Sequence, residues 1–280
     1  MNKSSFNLDY MSAFDNLEIN RIIRGNCLEI LPQIPDKSVD LVITDPPFNV
    51  MNKTDLKFKH RADITQQVSF DEFESYQTYL SFTEKWVRTV AAKMKQDSSL
   101  YVFFAVQFIT DLMRICLSFD MKYKGVLVWH KSNPAPKIRK SGYVSSTEAI
   151  LFMVKGKPPF HFLGQNKMHN FITTPICMGE ERLRLELSDQ NAESGGKKTQ
   201  TLHPTQKPMA LYEHFISVSS NEGDLVCDPF AGTGTANAAC RKLKRYCIGI
   251  EKNEEYIGFA QKRLSRIKEQ IPRSRLDDWI

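Results

Sequence analysis

Between Leu225 and Glu251 the chain runs through an order of features that few folds accommodate. An apolar run, Leu225 to Cys227, ends in Asp228 and passes straight into Pro229, Phe230, Ala231, Gly232, Thr233, Gly234 and Thr235. Ala236 to Lys242 reads as a helix with Thr235 placed to cap it, and Arg245 to Ile250 forms the next apolar run, ending in Glu251. Strand, glycine turn, helix and strand together make a parallel βαβ unit. Glycines at 232 and 234 let the backbone come close to a ligand at the helix N-terminus, and the acid stands where a ribose hydroxyl contact is expected. Alone, a Gly-x-Gly is an ordinary turn; in this order it predicts a nucleotide-like ligand.

A second strand end carries different chemistry. Val39, Asp40, Leu41, Val42 and Ile43 read as a buried strand, and Thr44, Asp45, Pro46, Pro47 and Phe48 follow directly. Two prolines fix φ and remove backbone donors, so this point offers a short carboxylate, acceptor carbonyls at Asp45 and Pro46, and the flat ring of Phe48. Acceptors beside a stacking face suit a planar ring with an exocyclic amino group, such as a base extruded from a nucleic acid. The bland alternative is an Asp-Pro turn closing a strand.

With both motifs in place, the sequence resembles the amino-group DNA methyltransferases that use S-adenosylmethionine, in the beta arrangement. Asp45 to Phe48 matches the family's Asp-Pro-Pro-aromatic motif, and Phe230 to Gly234 matches its later Phe-x-Gly-x-Gly motif. Gly25 to Leu31 and His203 to Pro208 are further matches, so the resemblance covers most of residues 20 to 265. It implies catalytic roles for Asp45, Pro46, Pro47 and Phe48. It also implies cofactor contacts from Asn26, Thr205, Lys207, Asp228, Phe230, Ala231, Gly232, Thr233, Gly234 and Glu251, with Thr205 and Lys207 directed at the methionine carboxylate. Asn26 departs from the family, which usually carries Asp there; an amide can still hydrogen-bond an adenine edge. Asp at position 45 goes with adenine in this family and Ser with cytosine, so adenine N6 is the expected target and cytosine N4 the runner-up. An RNA methyltransferase, or an inactive protein that binds cofactor and nucleic acid, are the remaining alternatives. The restriction-modification type implies double-stranded DNA as substrate, a cognate endonuclease acting separately, and pairing into a homodimer.

Alternation of strand and helix patterns fixes the expected architecture. Val39–Thr44, 99–105, 124–130 and 149–154 read as strands, with helices over 70–95 and 106–117. The expected fold is α/β and Rossmann-like: a mainly parallel, doubly wound sheet, the motifs in circularly permuted order. Ligands then lie beyond the carboxyl ends of the strands, so Asp45 and Asp228 can share one cleft. A chain of 280 residues that is 41% hydrophobic reads as a single domain, 1–280, with residues 1–20 as an arm. Residues 155–202, polar and irregular, occupy the place of an inserted target recognition region, and 49–69 read as a basic loop able to close over substrate.

A net charge of +6 leans toward polyanionic partners. Lys131, Lys137, Arg139 and Lys140 cluster without an acid among them, and Lys131, Arg139 and Lys140 are the expected phosphate contacts; a solvated face is the alternative. Six cysteines include no Cys-x-x-Cys pair, and Cys27, Cys227 and Cys247 fall in or beside strands, which predicts buried, inert, reduced thiols in a cytoplasmic setting. The Pro-Cys pair of ring-carbon cytosine methylation is absent. His203 and His214 have no second ligand at zinc-like spacing, so no metal is expected. No apolar stretch approaches the roughly 20 residues of a membrane span.

Overall fold

Successive residues of the apolar strands are buried on opposite sides, which requires a sheet covered on both faces. The computed structural model describes residues 19–49, 73–137, 142–178, 184–187, 198–201 and 206–267. Strands β1 (Ile22–Arg24), β2 (Val39–Thr44), β3 (Met94–Phe104), β4 (Lys122–Lys131), β5 (Thr147–Lys155), β6 (Phe171–Thr174), β9 (Leu225–Asp228) and β10 (Tyr246–Glu251) form one sheet in the order β1-β10-β9-β2-β3-β5-β4-β6. Only β5 runs against its neighbours, pairing antiparallel with β3 and β4. β7 (Arg184–Leu187) and β8 (Lys198–Thr201) pair separately as an antiparallel ribbon.

Leu41, Ile43, Tyr101 and Phe103 point to one face and Val42, Leu100, Val102 and Phe104 to the other. The second face is covered by α1 (Cys27–Ile30), α2 (Tyr76–Lys93) and α3 (Ile109–Leu117). The first is covered by α4 (Met209–Ser219) and α5 (Thr235–Lys242). A last helix, α6 (Glu254–Ser265), packs Ile257 and Ala260 against Ile22 and Ala231. In α2 the buried positions Tyr79, Thr83, Trp86, Val87, Val90 and Ala91 recur at helical spacing, and all but Thr83 join the largest apolar cluster.

Boundaries moved where tertiary contacts outweighed local pattern. Helix α2 begins at Tyr76 because the Ser75 hydroxyl accepts from the Thr78 amide at 3.1 Å, and it stops at Lys93 because Met94 turns extended to pair with Val39. Phe171–Thr174, inside the stretch expected to be irregular, instead adds a parallel edge strand against Val128 to Lys131. Residues 1–18 of the expected arm and 50–69 of the expected loop lie outside the described residues. Among the described residues no helix is long and apolar enough to cross a membrane.

From the boundary between β9 and β2 the sheet grows outward in both directions, through β3 on one side and β10 on the other. Such a reversal of strand order opens a crevice at the carboxyl ends. Gly249 of β10 keeps α5 close to the sheet there: a Cβ on it would stand 2.9 Å from Ala231 Cβ and against the Asn237 amide oxygen. Asn237 is itself tied to the Arg21 carbonyl at 3.2 Å. Gly249→Ala should therefore cost about 1–3 kcal/mol through overpacking. Urea unfolding would read this as a lower midpoint at unchanged slope, and an unchanged midpoint would contradict the packing account.

Candidate active site

Asp45 and Asp228 each stand at the carboxyl end of a parallel strand, and the two strands are neighbours with Leu41 opposite Val226 and Val42 opposite Cys227. A single buried bond joins the ends: the Thr44 hydroxyl donates to Asp228 Oδ1 at 2.7 Å. The same oxygen accepts from the Phe230 amide at 3.1 Å, which folds the following loop back over the strand. Asp228 is 1% exposed, and burial pushes its carboxyl up to about 7 despite these two hydrogen bonds.

The glycine loop is built on conformations that side chains resist. Gly232 and Gly234 sit at φ 51° and 73°, in the left-handed region. A Cβ on Gly234 would lie 2.8 Å from Ile22 Cδ1 and 3.0 Å from Ala260 Cβ, so this glycine is demanded by packing under α6. Gly234 is also the N-cap of α5, which corrects the expectation for Thr235: that residue is the first helical one. Its hydroxyl accepts instead from Arg263 at 3.2 Å.

Glu251 closes the loop from the end of β10. One carboxylate oxygen accepts from the Gly232 amide at 2.9 Å and the other from Asn253 at 2.8 Å, while burial holds the carboxyl above the usual Glu range. Gly25, just past β1, donates its amide to the Glu251 carbonyl at 3.0 Å, so Asn26 stands beside this acid. The Asn26 side chain caps α1 by accepting from Leu28 at 3.1 Å. The partly buried Phe230 ring meets Trp86 edge-on at 5.6 Å and Phe82 at 6.0 Å, anchoring the loop to α2.

The loop after β2 is held from below. Tyr79 donates its hydroxyl to the Pro47 carbonyl at 3.1 Å, and Phe48, half-buried, packs against Phe104. Asp45 Oδ2 pairs with Lys207 Nζ at 2.6 Å. That ammonium also lies 3.3 Å from Glu148 Oε2, and 5.3 and 5.4 Å from the Phe48 and Phe103 ring centroids. Burial opposes charge on Lys207, yet Asp45 and Glu148 outweigh it and hold the group above the ordinary lysine value. Glu148, on β5, pairs in turn with Lys131 Nζ at 2.7 Å; burial pushes its carboxyl up, and the two lysines overcome this and hold it low.

Two expectations change as a result. Lys207 spends its charge on the Asp45 loop, which leaves it poorly suited to clamp a methionine carboxylate. Lys131 spends its charge on Glu148 with 16% of its side chain exposed, so it does not present a bare phosphate contact. Glu148 escaped the sequence reading, although its place at the start of a strand, one residue before the apolar run from Ala149, was the available signal. Thr205, His203, Arg139 and Lys140 lie outside the described residues. All six cysteines are buried, and burial lifts the Cys27 and Cys116 thiols to about 12, far from nucleophilic range. Among the described residues no cluster of His, Cys, Asp or Glu could hold a metal.

Comparison with known proteins shows the family to which the chain belongs. The family model described as DNA methylase, for N6 and N4 methyltransferases, matches residues 39–262. The chain is 33% identical over 261 residues to the type II methyltransferase M.HinfI of Haemophilus influenzae, covering 89% of this chain and 69% of that one. It is 30% identical over 253 residues to M.HpaI of Haemophilus parainfluenzae, covering 87% and 74%. Among solved structures, the M1.HpyAVI–SAM complex superposes with a TM-score of 0.63 at 27% identity over 87% of this chain and 98% of that one. The PvuII cytosine-N4-specific DNA methyltransferase superposes with a TM-score of 0.65 at 19% identity over 92% and 90%, a likeness of fold.

Asp228 generates a pH prediction. Its folded pKa, about 7, lies above the usual aspartate value, so its protonated form favours the folded state and that contribution is lost as pH rises through about 7. Asp228→Asn keeps an acceptor for Thr44 and Phe230 but cannot ionise. Thermal unfolding should find the variant close to the parent near pH 4 and progressively more stable than it up to pH 8; parallel curves across that range would contradict the burial argument.

Proposed function

Since the chain belongs to the N6/N4 DNA methylase family, and is thus an S-adenosylmethionine-dependent DNA methyltransferase of the restriction-modification type, we propose that it methylates the N6 amino group of adenine in duplex DNA. The observation that carries the base assignment is Asp45 itself, an acid at the first position of its motif, held by Lys207 beside the glycine loop. Cytosine N4 is the competing target.

The residues present fit the cofactor. Left-handed Gly232, the N-terminus of α5, and a Glu251 carboxylate whose oxygens keep lone pairs beyond their backbone bonds are what a nucleoside with ribose hydroxyls needs. Ala231 and Thr233 form the walls of the same loop. When bound, S-adenosylmethionine supplies an electrophilic methyl group on a sulfonium. The chain's own part is positioning. Adenine's amino nitrogen is a weak nucleophile because its lone pair is delocalised, and Asp45 with the Pro46 carbonyl accepts its hydrogens so that the lone pair turns toward the methyl group. Phe48 stacks on the extruded base, which offsets the few kcal/mol that unstacking costs. Transfer is direct and in line, and Asp45 orients more than it abstracts.

Residues 155–202 take the role of sequence reading, with Arg139 and Lys140 on phosphate. A cognate endonuclease and pairing of two copies complete the proposal.

Asp45→Ala should lower methyl transfer by roughly 10² or more while leaving cofactor affinity near the parent's. Retention of a third of turnover would remove Asp45 from the mechanism. Gly232→Val and Glu251→Ala should each weaken S-adenosylmethionine binding by calorimetry, and unchanged constants in both would move the cofactor elsewhere. Methylation-sensitive long-read sequencing of DNA from a host expressing the chain should return N6-methyladenine at one motif. N4-methylcytosine there would overturn the base assignment.

A further inference from the structure

Four charged side chains alternate in sign across the crevice: Lys131 on β4, Glu148 on β5, Lys207 just before α4, and Asp45 after β2. Their contacts run 2.7, 3.3 and 2.6 Å. They come from four different segments, two of them the paired strands β4 and β5. We propose that Lys131, Glu148 and Lys207 form a positioning relay that fixes the Asp45 carboxylate, ionised and in one orientation, for the target amino group. The inference rests on the reading that Asp45 receives that group.

Lys207 is the decisive member. Its side chain is 5% exposed and its ammonium is boxed by the rings of Phe48 and Phe103, so its freedom to leave Asp45 is small. Glu148, 3.3 Å away, holds the ammonium from the side of β5 while Asp45 holds it from the other. Lys131 in turn offsets Glu148, so that carboxylate is paired on both sides.

The groups facing Asp45 make the consequence directional. Asp228 on β9 and the Tyr212 phenol on α4 are both within its electrostatic reach, Glu251 on β10 lies behind Asp228, and Arg263 on α6 acts toward Tyr212. Glu148 shares the Lys207 ammonium with it. Among these groups Lys207 and Arg263 are the cations, and the rest are neutral or negative. Without Lys207 the surroundings of Asp45 favour its protonation, and a protonated Asp45 loses acceptor strength. Without Glu148 the surroundings become more positive, and the opposite holds.

The test is the single-turnover rate of methyl transfer as a function of pH, with S-adenosylmethionine affinity measured alongside by calorimetry. The full chain is compared with Lys207→Gln, Lys207→Arg, Glu148→Gln and Asp45→Ala. Lys207→Gln should move the acidic limb of the rate upward by about one pH unit or more. Lys207→Arg should leave the limb where the parent has it. Glu148→Gln should slow transfer roughly ten- to a hundredfold with no upward movement of the limb, because the carboxylate is misplaced and not neutralised. Cofactor affinity should stay near the parent's in all of them. An unmoved limb in Lys207→Gln, with or without a tenfold loss of cofactor affinity, would overturn the relay, and with that loss it would make Lys207 a cofactor clamp. If Lys207→Gln fails to fold, parent-like transfer in Glu148→Gln overturns it. Transfer by Asp45→Ala would instead sink the underlying reading, whatever the lysine variants do.

Discussion

Parallel pairing of β2 with β9 is the constraint on which the site depends. Each strand is short, and each delivers an aspartate to its carboxyl end, so the pairing alone brings the two acids to one place. The Thr44 hydroxyl, fully buried, then fixes their relation by donating to Asp228 at 2.7 Å. In a position closed to water such a bond has no substitute, and losing it would leave a buried polar group unpaired at about 1–3 kcal/mol. Register, topology and one side-chain bond together set where an amine acceptor and a nucleoside cradle meet.

The crevice gathers negative charge at considerable electrostatic cost. Asp45, Glu148, Asp228 and Glu251 converge there, and the protein handles each differently. Asp228 is buried until its carboxyl rises to about 7, and Glu251 is held by backbone amides while burial keeps it high. Glu148 is forced low by two lysines, and Asp45 is given the most enclosed of them. Removing one partner of a buried pair typically costs about 3–5 kcal/mol, so the arrangement around Lys207 is stiff before any ligand arrives. Stiffness is what an orienting acceptor needs, since its effect depends on direction more than on basicity.

Much of this was legible in the chain. The βαβ unit at Leu225 to Glu251 and the strand ending in Asp45 were readable because apolar runs, glycines and prolines act locally. Thr235 was misread as a cap because what decides the helix start is the left-handed Gly234, demanded by Ile22 and Ala260 from elsewhere in the fold. β6 was invisible because four residues with half-polar pattern become a strand only where β4 offers a free edge. Lys131 and Lys207 were assigned to ligands for a related reason. A lysine in a sequence announces a charge and not its partner, and Glu148 lies far from both along the chain. The contact of the Phe230 ring with Trp86 was hidden for the same reason, since Trp86 lies far away along the chain.

The central claim is that one crevice, between β9 and β2, holds both reactants. A crystal structure of the full chain with S-adenosylhomocysteine measures this most directly. The account predicts ribose density against the Glu251 carboxylate, with the thioether sulfur directed toward the Asp45 loop. Density on the other side of the sheet, or a sulfur turned away from Asp45, would contradict it.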